Sequence, residues 1–173
     1  MTDLRELKNE TTLSAIAENP DGNNHYLLFG IIIDISEPYK TEESTNFTTK
    51  LKVIDPSFNY KANIDAKGLK FHKFVHINIY SETPESAPRI QFVGDIIRLR
   101  RFKFKLTSKG ELMGNMQKYS NWLIYSGDMK GPEISECFKS YEKNMNRVLN
   151  PGEQGRLSDL RKWNDNFFFS NSL

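Results

Sequence analysis

The chain reads as an all-β protein, five or six strands closing a small barrel, followed by one C-terminal helix. Three observations predict this. Apolar residues recur at the two-residue period of a strand in several separate stretches. The stretches follow one another through polar loops and turns in a meander-like order, with no βαβ alternation. The stretch Gly94 to Leu106, GDIIRLRRFKFKL, keeps the strand period but slips phase once, from Ile97 and Leu99 to Phe102, Phe104 and Leu106. An extra residue near Arg100 and Arg101, a β-bulge, lets one bent strand keep its apolar face inward throughout. A long kinked strand of this kind serves both halves of a small barrel.

Residues 1–24 mix both charges and end in NPDGNN, which predicts a loose or partly helical leader that adds little to the fold. From His25 to Ile35, HYLLFGIIIDI is almost continuously apolar, as in a strand buried on both sides, and Gly30 marks a bend or a close backbone approach. A polar loop, SEPYKTEESTN, follows. Phe47 to Asp55 then alternates, with Phe47, Thr49, Leu51 and Val53 on one face and Thr48, Lys50 and Lys52 on the other. Pro56 ends that strand, and a connection with Lys61, Lys67 and Gly68 leads to Lys73 through Ser81. There Val75, Ile77 and Ile79 turn inward, while Phe74, His76, Asn78 and Tyr80 turn outward. TPESAPR, between two prolines, holds at most a turn or short helix.

In the kinked strand Arg98, Arg100, Lys103 and Lys105 share the outer face. TSKG makes a hairpin turn to Glu111 through Lys118, and NWLIYS closes the barrel or covers its edge. The barrel domain thus covers 25–126. Residues 127–152 read as a linker. Within 153–173, Leu157, Leu160, Trp163, Phe167 and Phe168 recur at helical spacing, an apolar stripe docked on the barrel or on another domain.

Composition bounds the function. Lys and Arg number 24 against 22 Asp and Glu, giving a net charge of +2. No global polybasic character results, so a basic partner surface must come from placement. The single cysteine, Cys137, offers no intrachain disulfide and no Cys-rich metal site, and fits a reducing compartment. No apolar run approaches the ~20 residues of a membrane span, and MTDLRELKNE is too charged for a secretory signal, so no membrane partner is expected. His25, His72 and His76 form no HExxH-like pair, and Asp34 and Asp55 lack an acid/base partner by spacing. Phosphate-cradling glycine motifs are missing too. A non-catalytic protein without metal or cofactor is the expectation.

Single-stranded nucleic acid needs a cationic path for phosphates and flat side chains for unpaired bases. Lys50 and Lys52 on one strand, His76, Asn78 and Tyr80 on the next, and Arg98, Arg100, Lys103 and Lys105 on the kinked strand would form one exposed sheet face carrying both. Taken singly, each has a plain alternative: a solvated strand face, a surface histidine, a tyrosine packed under a loop. Their coincidence on neighbouring strands favours nucleic acid.

Five ordered segments carry a resemblance: FGIIIDISEPYKT, KLKVIDPS, GDIIRLRR, SNWLIYS and LRKWNDNFF. Together, from Leu28 to Phe168, the chain resembles the first OB-fold of the telomere end-binding protein alpha subunit and the protection-of-telomeres proteins. The resemblance implies a protein that binds and caps the G-rich single-stranded 3′ overhang at chromosome ends, in the nucleus, with a beta-type subunit or another telomere protein as a further partner. It places Lys40 and Thr41 of the PYKT loop beside the DNA and Tyr80 where an aromatic stacks on a base. Arg98 and Arg100 fall on the strand leading to the DNA, and Lys118 and Tyr119 join the binding residues. Two departures stand out: Thr107 replaces a common Tyr, and Gln117 and Lys118 replace an aromatic pair, with Tyr119 next. Relatives continue from LRKW into a second OB-fold that shares the DNA, whereas this chain stops at Leu173. It is either an excised fragment or a short relative with one barrel, and the one barrel is expected to bind more weakly. The competing reading is an OB-fold interaction subunit of a telomerase or replication assembly with weak nucleic-acid binding. An RNA-binding OB-fold is a third.

Overall fold

The computed structural model of the chain describes residues 10–20, 27–59, 74–128 and 149–169. Within them, one sheet contains β1 Glu10–Thr11, β2 Leu27–Ile35, β3 Phe47–Ile54, β4 Val75–Ser81, β5 Ile96–Arg100, β6 Lys103–Leu106, β7 Leu112–Asn115 and β8 Asn121–Tyr125. Two helices accompany it, α1 Leu13–Glu18 and α2 Pro151–Phe169. Pro84–Ser86, capped by Thr83, forms a 3₁₀ turn between β4 and β5.

The strands lie in the order β6-β7-β4-β3-β2-β5-β8, with β1 beside β2. β5 and β6 are far apart in that order yet separated in sequence only by Arg101 and Phe102. One bent strand therefore serves both ends of the sheet, which rolls the sheet into a barrel. The bend is Arg101, whose φ is 60°, in the left-handed region. Around it the predicted phase slip holds: Ile97, Leu99, Phe102 and Phe104 all join the barrel core. Leu106 does not. It ends β6 beside the hairpin turn and is 49% exposed. The turn itself is closed by Thr107 N–H donating to the Glu111 carbonyl at 2.8 Å, with Gly110 at φ 76°.

Apolar residues form two cores that share β2 as a wall. Leu28 and Ile32 face the barrel interior, whereas Leu27, Phe29 and Ile31 pack with Ile96, Leu123, Leu157 and Leu160 under α2. The doubly buried strand expected from HYLLFGIIIDI is thus observed. Gly30 marks a close approach, because a Cβ there would run into the Val53 side chain.

The leader departs from expectation. Thr12 caps α1 by accepting the Ala15 N–H at 3.2 Å, and Leu13 and Ile16 are buried in the barrel core. Buried Asp55 fixes the helix start, its Oδ2 accepting the Leu13 N–H at 2.8 Å. A partly helical leader is expected, but two apolar residues three apart in a polar stretch are too short a signal to foretell that they complete the core.

At the other end Asn150 and Glu153 form a capping box: Glu153 N–H donates to Asn150 Oδ1 at 2.8 Å and Asn150 N–H to Glu153 Oε2 at 3.1 Å. Pro151 takes the first helical position. α2 begins two residues earlier than the spacing predicts. Trp163 stacks on Phe167, with centroids 4.5 Å apart, and packs on the second core, so the apolar stripe docks on the barrel.

Candidate nucleic-acid interface

Residues paired across neighbouring strands share a face of the sheet. The register of β3, β4, β7 and β6 therefore lays out two transverse rows. Lys50 pairs with Asn78, Asn78 with Asn115, and Asn115 with Lys103. In the second row Lys52 pairs with His76, His76 with Met113, and Met113 with Lys105. Thr48 and Tyr80 extend the face by one more pair. The alternate residues Leu51, Val53, Ile77, Ile79 and Phe104 turn into the barrel. Each row thus begins and ends in a lysine, with two asparagines between in the first and a histidine and a methionine in the second. Three strand spacings separate the lysines, about 14 Å across the sheet.

Lys103 and Lys105 are exposed and form no ion pair among the described residues, and Lys50 is exposed at the other end of its row on the same face. Lys52 pairs with Asp34 at 3.2 Å and lies 5.2 Å over the Phe74 ring. Between the edges, Asn78 Nδ2 donates to Asn115 Oδ1 at 2.8 Å. The Tyr80 hydroxyl donates to the same oxygen at 3.5 Å, the outer limit of such a bond. Tyr80 also walls a cleft of about 200 Å³ with Asn46, Met116, Gln117 and Lys118.

His76 is partly buried, its ring edge-on to Phe74 and its Nε2 4.0 Å from Glu111. Burial lowers its pKa below the ordinary imidazole value. Glu111 opposes this, and Lys52 and Lys50 push further down. The imidazole is therefore neutral at neutral pH, able to hydrogen-bond and stack.

The PYKT loop is tied to this face by reciprocal bonds between the Tyr39 and Thr48 backbones, at 3.0 and 2.7 Å. That tie sets exposed Lys40 and Thr41 beside β3, with Lys40 5.7 Å over Phe47 and Lys50 5.7 Å over Tyr39. On the far side of the cleft Lys118 lies 5.5 Å over Tyr119, which is 62% exposed.

Two predicted residues do not belong here. Arg98 and Arg100 point out of the barrel, as expected, but onto the side that α2 covers. Arg98 is 1% exposed and its Nη1 meets Glu153 Oε1 at 3.2 Å; Arg100 Nη2 meets the same oxygen at 3.0 Å. Burial lowers the Arg98 pKa, against the pull of Tyr125 and Glu153. The bulge at Arg101 separates the two halves of the strand: beyond it the outer face is open and carries Lys103 and Lys105. Asn78 needs a smaller correction, since it lies on the predicted face but is 7% exposed and forms its floor.

The structure brings together Lys40, Thr41, Lys50, Lys52, His76, Tyr80, Lys103, Lys105, Lys118 and Tyr119 around Asn78. Sequence reasoning missed Tyr39 and Asn115. Tyr39 sits inside the PYKT segment, so its signal was present. Asn115 had none before the β4–β7 register was known. His25, His72, Lys61, Lys67 and Cys137 lie outside the described residues.

Comparison with known proteins follows this geometry. A family model described as telomeric single stranded DNA binding POT1/CDC13 matches residues 7–173. The chain is 29% identical to the telomere-binding protein 51 kDa subunit of Euplotes crassus, over 93% of the chain and 37% of that protein. It is 28% identical to the telomere-binding protein subunit alpha of Stylonychia mytilus, over 81% of the chain and 30% of that protein. The chain thus spans about a third of the length of these relatives. Among solved structures, the Pot1 (protection of telomere) complex with single-stranded DNA superposes with a TM-score of 0.52 at 17% identity. That match covers 81% of this chain and 75% of the other. Fission yeast Pot1 with single-stranded DNA also gives 0.52, at 19% identity over 82% of this chain and 42% of the other. These likenesses show the fold, an OB-fold barrel.

Proposed function

Because the chain belongs to the telomeric single-stranded-DNA-binding POT1/CDC13 family, we propose that it binds and caps the G-rich 3′ overhang of chromosome ends, as a non-catalytic protein at nuclear telomeres. The observation that carries this reading is the pair of lysine-ended rows across β3, β4, β7 and β6. A single strand crossing the barrel meets cations at both edges, where its phosphates lie. Between them it meets Tyr80, His76 and the asparagines, where its bases lie. Lys40, Thr41, Lys118 and Tyr119 flank the crossing. Arg98 and Arg100 are left out of the binding set, since α2 occupies their side. Leader, barrel, linker and C-terminal helix form one working unit in this proposal, with a beta-type telomere subunit as a further partner.

A second reading is favoured by one observation. Phe92 and Val93, 74% and 58% exposed on the loop before β5, stand away from the lysine rows. An interaction subunit of a telomerase or replication assembly would use such a surface for protein.

Titration of fluorescently labelled G-rich DNA, C-rich DNA and RNA of equal length into the full chain tests the choice. Tightest binding to G-rich DNA, weakening steeply with salt, supports the DNA reading. Equal, feeble binding to all three supports the interaction subunit.

A further inference from the structure

The centre of the face holds an amide pair whose hydrogen bonding is incomplete. Asn78 is 7% exposed and gives its Nδ2 to Asn115 Oδ1 at 2.8 Å, while its own Oδ1 is buried and unpartnered. Asn115 is only half-buried. Its Oδ1 accepts from the Asn78 amide at 2.8 Å and from the Tyr80 hydroxyl at 3.5 Å, which turns that oxygen toward the sheet. The amide plane then has one orientation, and the Asn115 Nδ2, which makes no hydrogen bond among the described residues, is the group left to a ligand. It stands in the row between Lys50 and Lys103, beside the Tyr80 ring.

We propose that Asn115 is a specificity-determining residue that reads the keto group of one base, selecting guanine or thymine over adenine or cytosine at that nucleotide. The chemistry is that of a fixed donor. Guanine O6 and thymine O4 accept an N–H, whereas adenine and cytosine place an amino group, itself a donor, at the same point of the ring. A freely rotating amide would accept either by flipping. Here Asn78 and Tyr80 hold the oxygen side inward, so the amino bases face a donor, and offering them the oxygen requires a flip that breaks both bonds. Asn78 is a positioning residue in this scheme, and of the two asparagines Asn115 is the one that reaches the keto group.

The inference rests on the DNA reading above, and the test separates the two. The ligand is a G-rich, thymine-containing single-stranded oligonucleotide bound to the full chain. Single guanines are replaced in turn by 2,6-diaminopurine, and single thymines by 5-methylcytosine, so that the keto group becomes an amine and the adjacent ring N–H becomes an acceptor; the Asn115 variants isolate the keto contribution. At one position the replacement should weaken binding to the parent by about fivefold, the worth of one hydrogen bond. Asn115→Asp keeps the acceptor for Asn78 but presents an oxygen to the base. It should lower overall affinity and reverse the ratio at that position alone. Asn115→Leu, uncharged, should bring the ratio to near one. Thermal melts confirm that each variant folds, and if Asn115→Asp does not, the ratio in Asn115→Leu decides. Parent binding with no keto preference at any position, or a preference unchanged in the variants, overturns the inference and leaves the DNA reading standing. A parent that binds no oligonucleotide overturns both.

Discussion

Lys103 and Phe104 are sequence neighbours on opposite sides of the barrel wall, one exposed and one 3% exposed in the core. Their substitutions should therefore act on different quantities. Lys103→Ala should leave the melting temperature alone and lower the slope of log affinity against log salt by up to about 0.7, the share of one phosphate contact on a single strand. Phe104→Ala should destabilise the fold by about 3 to 5 kcal/mol. A salt series beside thermal melts checks both, and an exchange of the two effects would mean that the strand faces the other way. Tyr80→Ala should weaken oligonucleotide binding by about 1 to 3 kcal/mol, the worth of one base stack, without unfolding the chain, and Tyr80→Phe should be mild.

His76 adds a pH dependence whose sign follows from its lowered pKa. The unfolded chain takes up a proton near about pH 6.5, before the folded chain does. Stability therefore falls as pH drops through that value toward the folded pKa. The negative charge of the bound strand favours the imidazolium, so affinity should rise over the same range. His76→Gln should flatten both curves, as melts and titrations between about pH 5 and 8 would reveal.

At the scale of elements, one carboxylate of α2 has two jobs. Glu153 closes the capping box of the helix and neutralises Arg98 and Arg100 on β5. Glu153→Ala removes the carboxylate that faces the buried Arg98 guanidinium and should cost about 3 to 5 kcal/mol in denaturant unfolding. Cleaner loss of binding than of stability would place Glu153 nearer the DNA than the fold allows. The same element explains what the sequence concealed. HYLLFGIIIDI announces a strand buried on both sides, and Arg98 is the register partner of Phe29 in that strand. Cover over Phe29 entails cover over Arg98, but strand pairing is needed to see it, and an arginine in an alternating run reads as solvated. The bulge at Arg101 was legible because a phase slip is local. That α2, more than fifty residues later in the chain, would settle over Arg98 was not.

For the whole molecule, the alternation of strands and the helical stripe were enough to foresee a barrel with an appended helix. Closure through a single bent strand followed from the phase slip. The lysine rows were legible only in part. The alternation in each strand put Lys50, Lys52, Lys103 and Lys105 outward, but their alignment across β4 and β7 depends on long-range register, which no local pattern encodes. The core role of Leu13 and Ile16 was hidden by the brevity of their helix, and Asn115 by the lack of any motif around it.

The central claim is that a single strand of DNA crosses the open face of β3, β4, β7 and β6. Backbone amide shifts of the isotopically labelled chain, followed by NMR as a G-rich single-stranded oligonucleotide is added, test it most directly. The account predicts the largest changes at Lys50, His76, Asn78, Tyr80, Asn115 and Lys103, with Arg98, Leu123 and Leu160 nearly unmoved. Changes concentrated on β8 and α2, with the lysine rows silent, would contradict it.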